Sequence, residues 1–134
     1  MLPTQPSTQQ AQRAAWLDLI LRNRNYYQSF LELAARRGMD DSVRFLHQLR
    51  SIPWSGNGAI GQAFHEGVYS TYIRDGALYQ VNLIFGTVQA IETAIGEQQT
   101  PDWDRASREI EDLLVTQLAP NLIDDWLAQR AAAP

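Results

Sequence analysis

A chain of 134 residues with no cysteine and a formal net charge of −4 has the length of one ordinary domain. The missing cysteine excludes thiolate metal sites, disulfides and a cysteine nucleophile. The uncharged run from Ala77 to Ile91 is interrupted by Gln80, Asn82, Thr87 and Gln89 and is too polar for a membrane span.

The opening MLPTQPSTQQ has neither the basic nor the apolar segment of a secretory signal, so the cytoplasm is the expected compartment. Residues 1–7 read as a disordered N-terminal tail. Ser7 with Gln10 three residues on has the spacing of a capping box, and no Gly or Pro follows until Gly38. Trp16, Ile20, Tyr27, Leu31 and Ala34 recur at helical spacing. The pattern predicts one long first helix over about 45 Å, with RNRN at 22–25 as its weak point. ARRGMD ends it, with arginines in the last turn and Gly38 at the left-handed position. Asp40 or Asp41 then caps a second helix with Val43, Leu46, Leu49 and Ile52 inward, and Pro53 stops it.

WSGNGAIG follows, and Gly56, Gly58 and Gly61 in it spell G-x-G-x-x-G. A dinucleotide cradle needs a strand before the glycines and a βαβ unit around them. Here the preceding segment is an amphipathic helix ending at a proline, so the glycines read as a joint. Beyond Ala59 two readings compete. Ile60, Phe64, Val68 and Tyr72, then Leu78, Val81, Phe85, Val88, Ile91 and Ile95, fit two helices, Ala59–Ile73 and Ala77–Ile95. Small residues at Ala59, Ala63, Gly67 and Thr71, and at Gly86, Ala90 and Ala94, would let these helices approach closely. The rival is a β-hairpin at about 68–85, with Asp75-Gly76 as its turn and Tyr72 facing Tyr79. The helices are preferred because a lone hairpin is a marginal sheet. Thr100 and Pro101 open the next helix, whose stripe is Trp103, Ala106, Ile110, Leu114 and Leu118. Pro120 divides it from a last helix carrying Leu122, Ile123, Trp126 and Leu127, and 131–134 is a frayed C-terminal tail. The expected fold is all-α: a compact bundle of five or six helices with a long first helix, as a single helical domain over 8–130, with α+β carrying one hairpin as the alternative.

No residue pattern argues for catalysis, a cofactor or a metal. HEGVY lacks the second histidine of the zinc-protease motif, and His47 and His65 read as ordinary, partly exposed side chains. The neighbouring acids Asp40-Asp41, Asp124-Asp125 and Glu109/Glu111/Asp112 read as caps and solvated faces.

Charge is unevenly spread. All eleven basic residues are arginine; seven lie in residues 1–50 against four acids, a net +3, and four lie in residues 51–134 against eleven acids, a net −7. The simplest reading pairs the basic half with the acidic helices of the same chain. The candidate partner-binding residues are Arg22, Arg24, Tyr26, Arg36 and Arg37, with Trp54 and Trp126 as exposed anchors, since tryptophan and arginine dominate interface hot spots. The functional expectation is a non-catalytic protein–protein interaction module, a small adaptor, assembly or regulatory factor that forms a homodimer through its first helix. Second comes a nucleic-acid-associated subunit of a larger complex using the N-terminal arginines, and third a helical pocket for a small ligand beneath GNGAIG.

Overall fold

A computed structural model describes residues 8–51, 59–117 and 121–132. Among them are seven α-helices and no strand: α1 Thr8–Arg22, α2 Arg24–Arg36, α3 Asp40–Ser51, α4 Ala59–Val68, α5 Phe85–Gly96, α6 Trp103–Asp112 and α7 Leu122–Ala132. Single π-helical turns extend α4 through Tyr69–Ile73 and α6 through Leu113–Gln117. The all-α bundle is therefore the fold. The expected tail at 1–7 and the proline and glycine joint at 52–58 lie outside the described residues; the C-terminal helix runs into the expected frayed tail as far as Ala132. No helix among the described residues is long and apolar enough to cross a membrane.

The single long first helix is corrected. Asn23 adopts an extended conformation (φ −105°, ψ 117°) and its side chain accepts the Tyr26 backbone N–H at 3.0 Å, so it closes α1 and caps α2. Asparagine competes for backbone hydrogen bonds within a helix but satisfies them at its start, which is why RNRN breaks the helix here. Gly38 stands at φ +70°, and the Met39 and Gly38 N–H groups donate to the Ala34 and Ala35 carbonyls at 2.8 and 3.1 Å. This is the Schellman ending that ARRGMD predicts. Helix α6 starts two residues later than Thr100 suggests, with Asp102 accepting the Arg105 N–H at 3.0 Å. Buried Asn121 caps α7 through the Ile123 N–H at 2.9 Å and ties it back to the Leu114 carbonyl at 2.8 Å.

The segment after α4 matches neither sequence reading in full. Helix reaches Ile73 as expected but resumes only at Phe85. Between them, Arg74–Ala77 forms a turn with Gly76 at φ +79°, closed by the Ala77 N–H to the Arg74 carbonyl at 2.9 Å. Residues 78–84 then alternate: Tyr79, Val81 and Leu83 turn inward while Leu78, Gln80, Asn82 and Ile84 are exposed. Instead of pairing with a strand, this bridge uses the end of the α4 extension. The Tyr79 and Val81 N–H groups donate to the Thr71 and Tyr72 carbonyls at 3.1 and 2.8 Å. The Tyr72–Tyr79 meeting expected of a hairpin is present, with ring centroids 6.3 Å apart. The small residues do not make a tight helix seam: a β-carbon on Gly67 would meet nothing, and one on Gly86 only the Arg105 guanidinium at 3.6 Å.

The core joins two aromatic clusters. Trp126 receives the edges or faces of Trp16, Tyr26 and Phe30 at 5.4 to 6.1 Å, binding α1 and α2 to α7. Phe45 meets Tyr72 at 5.5 Å and Trp103 at 6.5 Å, binding α3 to the α4 extension and α6.

Candidate functional site

The arginine-rich half closes largely on its own chain. Arg13 on α1 grips Asp124 on α7 at 2.5 Å, and Arg37 pairs with Asp125. Arg50 on α3 reaches both Asp18 on α1 and Glu111 on α6, each at 2.5 Å. The Arg13 hydrogen bond holds the Asp124 carboxyl below the usual carboxylate range. Two further arginines pair within their own helices: Arg22 with Asp18 at 2.8 Å and Arg44 with Asp40 at 3.3 Å. The acidic neighbours read as caps and solvated faces thus include direct arginine partners. Among the described residues no group of His, Asp and Glu is placed to hold a metal ion.

The seven candidate partner residues do not form one surface. Trp126, expected as an exposed anchor, is 2% exposed, and its indole N–H donates to the Ser29 hydroxyl at 2.9 Å. It is buried because the inward side of α7 meets both α1 and α2, a coincidence no local pattern announces. Trp54 lies outside the described residues. Tyr26 is half-buried beneath the Arg130 guanidinium, 4.3 Å from its ring centroid. Arg37 is engaged by Asp125. Only Arg24 and Arg36 are exposed with no ion pair among the described residues.

Two surfaces bear on the candidate partner residues and the exposed apolar ones. The first is a groove of about 520 Å³ lined by Arg22, Arg24, Tyr27, Gln28, Leu31 and His47. The break at Asn23 sets the two arginines on either side of the helix junction. Tyr27 of α2 and His47 of α3 stack across its wall, centroids 3.9 Å apart and planes 17° from parallel. Burial pushes the His47 pKa down, which favours a neutral ring, and pushes Tyr27 up. The second is an apolar edge on the 74–84 bridge and the start of α5. Leu78, Ile84 and Phe85 are 81%, 65% and 72% exposed. Leu78 and Phe85 belong to the buried stripe expected of a helix over Ala77–Ile95, but α5 begins only at Phe85 and both are exposed.

His65 is also corrected from partly exposed to buried. Its Nδ1 accepts the Trp103 indole N–H at 3.0 Å, which ties α4 to α6, and burial pushes its pKa down. Because Nδ1 is an acceptor, a proton on the neutral ring sits on Nε2. Glu66 is exposed, and the two histidines lie in separate parts of the fold: His47 against Tyr27, His65 against Trp103. Comparison with protein-family models and with curated proteins finds no match.

Proposed function

We propose that the chain is a non-catalytic protein-interaction module of the cytoplasm, a small adaptor, assembly or regulatory factor that docks through the Leu78–Phe85 edge. The observation that carries this reading is the outward placement of Leu78, Ile84 and Phe85 within one eight-residue segment. Single exposed apolar residues are ordinary, whereas large ones grouped together mark surfaces that another protein covers. The first partner is a second copy, since a two-fold axis would set the same apolar edge against itself. The long first helix that suggested dimerisation is interrupted at Asn23, so the face moves from α1 to the bridge.

Sedimentation at micromolar concentration should give twice the 15.2 kDa chain mass. The Ile84→Asp/Phe85→Asp double variant should sediment as a monomer with an unchanged unfolding midpoint. A dimer that survives the double substitution would discard this face. A wild-type monomer at every concentration would discard self-association; a photo-crosslinker placed at position 85 that then captures no protein in cells would end the interaction reading itself.

Nucleic-acid association stays second. Arg24 and Arg36 are the arginines that support it, because Arg13, Arg37 and Arg50 are held by carboxylates of the same chain.

A further inference from the structure

The groove at the α1–α2 junction has a chemistry of its own. Among the described residues its lining includes two guanidinium groups and no carboxylate. Arg22 and Arg50 are balanced by Asp18 and Glu111, whereas Arg24 is exposed without an ion pair among the described residues. Positive charge at the rim is therefore left uncompensated. Below it, Tyr27 and Leu31 supply half-buried apolar surface, and the stacked Tyr27–His47 pair stiffens the wall because both rings come from packed helices. A volume of about 520 Å³ is that of a small-molecule site rather than of a bound water or lone ion.

We propose that this groove binds a planar anion: a flat apolar ring system bearing one carboxylate or phosphate. Arginine's planar fork matches both head groups and also lies flat on ring faces. Gln28 at the rim adds an amide that can donate to the same head group or accept from a ring substituent. Burial disfavours the charged form of His47, so the Arg24 guanidinium, with Arg22 beside it, is the charge that selects an anion. The break at Asn23 explains why the pair of arginines stands there. Two residues apart on one continuous helix they would point to different sides, and the extended residue between them resets that geometry.

The test is titration of the whole chain with adenosine monophosphate, with 1-naphthoate, and with the neutral compounds adenosine and naphthalene methanol, following the amide resonances of Gln28 and Leu31. Binding of either anion, with the neutral compound weaker, is the expected result, and which one binds assigns the head group. Arg24→Gln should weaken that binding about tenfold or more, as expected for one charge-assisted hydrogen bond, with the unfolding midpoint unchanged. Silence of both resonances at millimolar anion would overturn the proposal. Equal binding of the neutral compounds, or indifference to Arg24→Gln, would do the same. A single-stranded oligonucleotide whose affinity rises with its length and falls steeply with salt would instead assign the groove to nucleic acid.

Discussion

The corner where α1, α2 and α7 meet and the end formed by α4, the 74–84 bridge and α5 use their large side chains in opposite ways. At the corner, Trp126 is enclosed by Trp16, Tyr26 and Phe30, covered by Arg130 at 4.8 Å, and flanked by the Arg13–Asp124 and Arg37–Asp125 pairs. At the other end, Leu78, Ile84 and Phe85 face outward, and among the described residues no salt bridge involves α4 or α5. That end is tied by buried Val68, Ile73, Val81 and Ile91 and by polar contacts rather than ion pairs. The Tyr69 hydroxyl donates to Glu92 at 2.7 Å, the Thr87 hydroxyl donates to Glu109, and Glu109 also accepts the Ile84 N–H at 3.2 Å. The contrast teaches where the molecule is closed to partners and where it is available. Aromatic enclosure and cross-helix ion pairs make the corner a structural lock, whereas the 78–85 edge, with its large side chains outward, opens locally at lower cost.

The largest effect should fall on the corner. Trp126→Ala should destabilise the fold by about 3–5 kcal/mol, the range for emptying an aromatic site in a packed core. Phe85→Ser should stay within about 0.5 kcal/mol of wild type, as surface changes do. Chemical denaturation of both variants checks the pair of values, and similar losses would erase the distinction between the two regions.

A medium effect should appear with pH at the contact where His65 joins α4 to α6. Burial lowers the folded-state pKa of His65 from its ordinary 6.5, so the unfolded chain binds the proton more readily. The contribution is complete above pH 6.5 and is lost as pH falls from there through the folded-state value. Unfolding free energies measured across mildly acidic pH should therefore slope downward. In His65→Gln that slope should shrink, leaving the share from His47, whose pKa is lowered in the same direction. An undiminished slope in the variant would remove His65 as the source.

The smallest effect is a gain. Gln98 follows α5 at φ 57°, with the Gln98 and Gln99 N–H groups donating to the Ile95 and Ala94 carbonyls at 3.1 and 2.7 Å. It is the Schellman geometry of Gly38 again, with a side chain in the position that favours glycine. Gln98→Gly should raise stability by about 1 kcal/mol. No change, or a loss, would mean that glycine's greater freedom in the unfolded chain outweighs the relief of the left-handed residue.

The helical class, the stop at Gly38, the weak point at RNRN and the pairing of basic and acidic halves were legible in the order of residues, because each rests on local chemistry or on charge counted by segment. Glycine tolerates φ +70° wherever it occurs, and asparagine caps a helix through an atom of its own side chain. The burial of Trp126 and the path of 78–84 were settled by tertiary structure alone. Spacing of three and four sets Leu78, Val81 and Phe85 on one helix face, while alternation sets Tyr79, Val81 and Leu83 on one strand face, so periodicity could not choose between them. The choice came from carbonyls left free at the end of the α4 extension, those of Thr71 and Tyr72, which the Tyr79 and Val81 N–H groups satisfy only if the bridge is extended. That same arrangement turns Leu78 and Ile84 outward, so the candidate docking edge exists because a distant helix end needed hydrogen-bond donors.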